Sequence, residues 1–317
     1  MRKVALAIYW NWLAFVRSFS LVRQKNAAAY YTTLGDDVID FMDEGYADDS
    51  KPRWLNIGYW KEARTYPQAC AAMVELLGTR AGLQPTDEVL DVGVGFAEQD
   101  FVLVDRFKLA RITCIDITPV HVEKSRERVA ERGLADRIDI RLGSATALEF
   151  PDESFDKVLA LESAFNFDTR EDFLREAFRV LKPAGTIALA DMLPCPGRTA
   201  GRRRAAFGRR YAHFPEANFY DREAYPQHLI AAGFDDVSVE SIRSDVFPGM
   251  AKYAQQRVER KQKIDEVVVD ITDDDRAQCR GVEFWERSLG IGDYVIATAR
   301  KPLIVGVPAE RAGTQMS

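Results

Sequence analysis

Histidine and cysteine are scarce in this chain, three and four in 317 residues. Cys70, Cys114, Cys195 and Cys279 lie far apart, which excludes metal-ligand spacing and a dense disulfide framework. A reducing cytosol is the compartment this implies, so a cytoplasmic protein is expected. An excess of basic charge is also missing. Lys and Arg number 43 against 49 Asp and Glu, a net charge of −6, which argues against general nucleic-acid binding. There is no internal repeat and no low-complexity tract. Near the N-terminus, Val4 to Val16 is apolar except for Asn11. It falls short of the about 20 residues that a membrane-crossing helix needs. Arg2 and Lys3 ahead of it imitate a signal peptide, but no small-x-small cleavage site follows.

What is present is apolar material for a large core, 47% of the chain, enough for one elaborated α/β domain or two small ones. Lys3, Ala7, Asn11, Ala14 and Ser18 recur at helical spacing. Such a helix has two readings. It packs on the body or on a second subunit of a homodimer, or it lies in a membrane interface as a peripheral anchor. Residues 1 to 80 read as a helical cap, to which Tyr30, Tyr31, Tyr59, Trp60 and Tyr66 bring aromatic rings or plain core packing.

The most informative stretch is Val89-Leu90-Asp91-Val92-Gly93-Val94-Gly95. An apolar run ends in an acid, and two glycines follow. A second apolar run, Ile112 to Ile115, ends in Asp116. That is the layout of a β-α-β nucleotide-binding unit, in which glycines admit the ligand backbone and the second acid takes ribose hydroxyls. A dinucleotide fingerprint wants a small residue three places after the second glycine, where the helix receives a pyrophosphate. Glu98 stands there, and its carboxylate would repel a phosphate. A ligand with a ribose and no phosphate is expected, with Asp91 facing its cationic end, which suits S-adenosylmethionine.

The downstream order agrees. Arg137 to Leu142 reads as a third strand, Phe155 to Leu161 as a fourth, and Thr186 to Ala190 as a fifth after a Lys182-Pro183-Ala184-Gly185 turn. Thr169 reads as the cap of a helix over Arg170 to Leu181, and Asp221 as the cap of one running to Ala232. A sixth strand is expected at Asp236 to Ser241 and a last one at Tyr294 to Ala299. Between them, residues 248 to 289 read as two helices with a charged joint at Asp273-Asp274-Asp275, and 301 to 317 as a tail.

With the Asp91–Gly95 motif, Asp116, the Phe155-Asp156 pair and Arg179-Val180-Leu181-Lys182-Pro183, the chain resembles the class I S-adenosylmethionine-dependent methyltransferases. It looks closest to the small-molecule branch with sterol, tocopherol and natural-product enzymes. Asn56-Ile57-Gly58-Tyr59-Trp60 is similar to a segment many of those carry ahead of the core. The resemblance implies an α/β Rossmann-like sheet of order 3-2-1-4-5-7-6 with the seventh strand antiparallel, a core over 81 to 300 and a helical insertion near 243 to 289. It implies S-adenosyl-L-methionine as cofactor, held by Asp91, Gly93, Gly95, Asp116, Ile117, Ser144, Ala145, Tyr59 and Leu161. Two positions depart from the pattern. Gly143-Ser144-Ala145 replaces the usual Gly-Asp-Ala, and Ala97 replaces the third glycine.

Methyl transfer to a hydroxyl needs an acceptor held in line and a group to take its proton. Glu162 directly follows the fourth strand and is the first candidate base, with a local capping role as its alternative. His213, between Tyr211 and Phe214, is the second. His121 reads as structural or cofactor-adjacent, and His228 lies beyond the fifth strand. Six arginines, Arg198, Arg202, Arg203, Arg204, Arg209 and Arg210, form a solvated face or meet an anionic acceptor group or membrane surface. The expected reaction is methyl transfer to a hydroxyl oxygen of a small, largely apolar lipid-like or natural-product acceptor in secondary metabolism. Transfer to carbon of an isoprenoid or sterol-like alkene and a non-catalytic cofactor-binding subunit are the alternatives.

Overall fold

A computed structural model describes residues 28–29, 31–32, 52–194, 214–260, 267–280, 282 and 290–303. The apolar N-terminal helix, the arginine run, His213 and most of the expected tail lie outside the described residues.

Seven strands form one sheet in the order β3-β2-β1-β4-β5-β7-β6. They are β1 Val89–Val92, β2 Ile112–Asp116, β3 Ile138–Leu142, β4 Phe155–Leu161, β5 Leu181–Pro194, β6 Asp235–Ser241 and β7 Ile291–Arg300. The first five run parallel, and β7 is antiparallel to both β5 and β6. Strands β1 and β2 are buried at every position, as unbroken apolar runs must be when helices cover both faces. β6, at the edge, alternates exposed and half-buried residues.

The helices are α1 Tyr66–Ala81, α2 Glu98–Arg106, α3 Pro119–Glu131, α4 Arg170–Val180, α5 Tyr225–Ala231, α6 Arg243–Arg260 and α7 Asp273–Gln278. Thr169 starts α4 as expected: its hydroxyl accepts from the Asp172 N–H at 3.2 Å, and Asp172 Oδ2 accepts in return from the Thr169 N–H. No helix among the described residues is long and apolar enough to cross a membrane.

Three expectations need correction. The Lys182–Gly185 turn is not a break before β5. The strand starts at Leu181 and absorbs the extra residues as a register shift, with Ala184 at a φ of 64°. The Asp273-Asp274-Asp275 joint is itself the first turn of α7. Thr272 caps it, and acids are favoured at that end of a helix. Finally, the helix expected from residue 248 begins at Arg243, so Pro248 lies inside it rather than at its start.

Candidate active site

The strand order reverses between β1 and β4, and the crevice at that switch point is where α/β sheets hold ligands. Asp91 pairs with Leu159 in register, so β4 runs on until Leu161 and Glu162 stand level with the glycine loop. Gly93 has a φ of +85°, and a Cβ there would lie 2.4 Å from the Ser163 Cβ. The Ser163 hydroxyl donates to the Val92 carbonyl at 2.7 Å. Glycine is therefore required twice at position 93, by conformation and by the close approach of the segment that carries Glu162.

Asp116 closes the cofactor side. Its Oδ2 accepts from the Gly95 N–H at 2.9 Å, and its Oδ1 accepts from the Thr118 N–H at 2.8 Å. Each oxygen keeps a lone pair for a ribose hydroxyl. His121 Nδ1 lies 3.4 Å from Oδ1, and the His121 ring sits between Phe96 and Tyr31. Ile117 and Leu142 are large apolar side chains left exposed beside it, a natural seat for a flat base. Ser144 and Ala145 follow β3 at the same end, where the Gly143 N–H donates to the Asp116 carbonyl at 3.0 Å.

Asp91 is buried, and its Oδ2 accepts from the Gln99 amide. Its Oδ1 has no donor among the described residues. Burial pushes the carboxyl up to about 6, against the lowering effect of Gln99 and Asp100. A buried carboxylate oxygen lacking a donor is an unmet acceptor, and a ligand ammonium would satisfy it. Glu98, in contrast, does not guard the loop as a bare charge. Its carboxylate is ion-paired with Arg128 and lies 3.6 Å from Arg132, both from the α3 side.

On the acceptor side, Glu162 is partly buried at a φ of 51°, a left-handed conformation that costs a non-glycine residue roughly 1–3 kcal/mol. Its Oε1 accepts from the Ile57 N–H at 2.9 Å and from the Tyr294 hydroxyl at 2.8 Å. Burial pushes the carboxyl up to about 8, opposed by those two donors and reinforced by Asp191. Behind Glu162, a short turn over Ala164–Asn166 is pinned by Asn218, whose amide donates to the carbonyls of Phe165 and Phe167 at 3.1 and 2.7 Å. Phe165, Phe214 and Phe219 pack there as a chain of rings 5.6 Å apart. The Tyr31 hydroxyl donates to Asn166 Oδ1. With its ring also near His121, Tyr31 reaches from the ribose acid to the acceptor side.

Not every expected residue arrives. Tyr59 is not brought to the glycine loop. Its charged surroundings are Asp245, Arg80, Glu240 and Arg276, at the β6 end of the sheet. Ile57 is the residue of that segment that reaches the site. Trp60 and Tyr66 are fully buried against Tyr253 and act as core. His228 stacks on Tyr220, 3.0 Å from Glu171, and pairs there rather than at the site. Tyr294, Gln99 and Asp100 are site residues that sequence reasoning missed. No local spacing marks Tyr294, because only the β5–β7 pairing carries it to Glu162.

The sequence matches the methyltransferase-domain family over residues 90–189. It is 35% identical over 273 residues to an erythromycin 3''-O-methyltransferase of Saccharopolyspora erythraea, covering 82% of this chain and 88% of the relative. The chain belongs to the S-adenosylmethionine-dependent methyltransferases. A 27-O-demethylrifamycin SV methyltransferase of Amycolatopsis mediterranei is 30% identical, covering 84% of this chain and 95% of its own length. Among solved structures, a 4+2 cyclase (SpnF) superposes with a TM-score of 0.64 at 23% identity, covering 88% of this chain and 97% of the cyclase. That likeness concerns the fold alone, and one sheet hosting a cyclase shows why the reaction must be argued from the site.

As a methyltransferase the protein uses S-adenosyl-L-methionine and acts on a small molecule. Asp116→Ala is expected to weaken S-adenosylhomocysteine binding by about tenfold or more, since hydrogen bonds to a carboxylate contribute roughly 1.5–3 kcal/mol each. Calorimetry measures this directly. Because Asp116 also braces the amides of Gly95 and Thr118, a fall in melting temperature should accompany it. Unchanged affinity would remove Asp116 from the ribose site.

Proposed function

We propose that this methyltransferase transfers the methyl group to a hydroxyl oxygen of an apolar natural product, with Glu162 as the general base. One observation carries this reading. Glu162 stands beside the glycine loop with Oε1 held by two donors, while Oε2 has no hydrogen bond among the described residues. A base must be oriented and must have an open oxygen, and Glu162 meets both needs. S-adenosylmethionine supplies a methyl group already activated on a sulfonium. The chain has to hold the hydroxyl in line and take its proton. The rings of Phe165, Phe214 and Phe219 suit an apolar acceptor body, and the names of both O-methylating relatives support oxygen as the target. The arginines at 198 to 210 support an acceptor that also carries an anionic group.

The test is to incubate the protein with S-adenosylmethionine and a panel of hydroxylated macrocyclic natural products, then locate any methyl gain by mass spectrometry and NMR. A product methylated on carbon would replace this reading with transfer to an alkene, where the same three rings would face a cation.

Tyr294→Phe probes the base without touching its carboxylate. The lost donor favoured the ionised form of Glu162, so the carboxyl should move further above 8. The base is competent only when ionised, and ionised only above its pKa. The rising limb of kcat/KM should therefore shift to higher pH by about one unit, the equivalent of a charge-assisted hydrogen bond. A limb that stays in place would separate Tyr294 from the proton transfer.

A further inference from the structure

Behind Asp91 lies a second carboxyl with no place yet in the chemistry. Asp100, on α2, is fully buried. Its Oδ1 accepts from the Cys114 thiol of β2 at 3.1 Å. Its Oδ2 has no donor among the described residues, and neither has Asp91 Oδ1. The two buried carboxyl groups lie together: Cys114, which donates to Asp100, is the register partner of Asp91, and Gln99, the neighbour of Asp100, donates to Asp91. Two ionised carboxylates buried side by side repel each other. A proton on one of them supplies the missing donor, since an ionised carboxyl only accepts. The other titratable groups facing the pair are Cys114 and Asp116 on β2, with Asp139 on β3 acting on Cys114. All are acidic. Glu98, two residues before Asp100, is paired with Arg128 and Arg132 from the α3 side. The local charges thus leave the pair acidic, which favours keeping one proton there.

We propose that Asp100 is a cofactor-positioning residue: its carboxyl keeps a proton, donates it in a hydrogen bond to Asp91, and holds the Asp91 carboxylate as a single negative charge turned to the ammonium of the cofactor. Gln99 fixes one oxygen of Asp91, and a proton on Asp100 would give the other a donor while leaving it a lone pair for the ammonium. Burial drives Asp100 well above the usual carboxylate range, and the Asp91 charge adds to that. This rests on the assignment of Asp91 to the cationic end of the cofactor.

The test is calorimetric binding of S-adenosylhomocysteine between pH 5 and 8, with wild type, Asp100→Asn, Asp100→Leu and Asp91→Asn. In the wild type, affinity should fall as pH drops through about 6, where Asp91 takes up a proton and loses its charge. Asp100→Asn keeps a donor of the same size, so its affinity and midpoint should match the wild type within about threefold. Asp100→Leu removes the donor. It should bind about tenfold more weakly at pH 7, with the midpoint moved to higher pH. If the leucine variant does not fold, Asp100→Ala takes its place. A leucine or alanine variant that binds like the wild type would overturn the proposal. So would an asparagine variant as weak as leucine, or one whose midpoint falls by a full unit, because wild-type Asp100 would then carry a charge. Asp91→Asn should bind weakly and lose the acid limb. Wild-type binding by that variant would overturn the proposal at its premise, while leaving the methyltransferase assignment standing.

Discussion

Glu162→Gln is expected to lower kcat by about 10²- to 10⁴-fold, the usual contribution of a positioned base, while S-adenosylhomocysteine affinity changes by no more than a few-fold. The amide keeps the size of the side chain and can still accept from the Ile57 N–H and the Tyr294 hydroxyl on its oxygen. The loop beside Gly93 should therefore stay in place. What the amide cannot do is take a proton. The two enzymes should also differ in pH dependence. The wild-type rate should climb through about 8 as the carboxylate forms, and the variant should show no limb there. Near wild-type kcat combined with poor cofactor affinity would assign Glu162 to cofactor binding instead. The base would then have to be sought at Tyr294 or at His213.

Arg170→Met is expected to cost about 3–5 kcal/mol of stability, the range seen when one member of a buried ion pair is removed. Arg170 and Asp191 are both fully buried, and Arg170 Nε lies 2.9 Å from Asp191 Oδ2. That oxygen also accepts from the Tyr225 hydroxyl at 2.9 Å. The Arg170 Nη1 donates to the Asn218 carbonyl at 2.9 Å, and its backbone N–H to the Asn218 side chain at 2.7 Å. Methionine leaves Asp191 buried and without its cation, whereas the double change Arg170→Met with Asp191→Leu leaves no orphan charge. Urea denaturation should therefore show the double variant recovering much of the loss. A single variant as stable as wild type would mean the pair contributes nothing. There is a functional consequence as well. Asn218 pins the turn behind Glu162, so Arg170→Met should raise the acceptor KM more than it weakens cofactor binding.

The acceptor side, then, depends on contacts between distant parts of the chain, whereas the cofactor residues lie close together in sequence. The placement of Asp91, Gly93, Gly95 and Asp116 at one crevice was legible because they sit within one β-α-β unit, where strand run, turn and second strand follow at short separations. The Thr169 cap of α4 and the extent of β4 were legible for the same reason, since hydrogen bonds between near neighbours decide both. Where a local rule competed with packing, the reading failed. The pattern starts the inserted helices at residue 248, but the first of them begins at Arg243 and carries Pro248 inside. Three successive acids at Asp273-Asp274-Asp275 suggest a joint, but with Thr272 ahead of them they open a helix.

The sequence by itself thus determined the order of the sheet strands and the place of the glycine loop and Asp116 at one crevice, through short-range periodicity and glycine conformation. Only the tertiary structure decided what surrounds the two working carboxylates. Glu162 meets Tyr294 across 132 positions of chain because β7 pairs antiparallel to β5, and it meets Ile57 across 105 because the segment ahead of α1 folds over the site. Asp91 meets Asp100 and Cys114 because α2 lays one face on β1 and β2. Ionisation depends on desolvation and on neighbouring charge in space, and neither quantity is a property of sequence spacing.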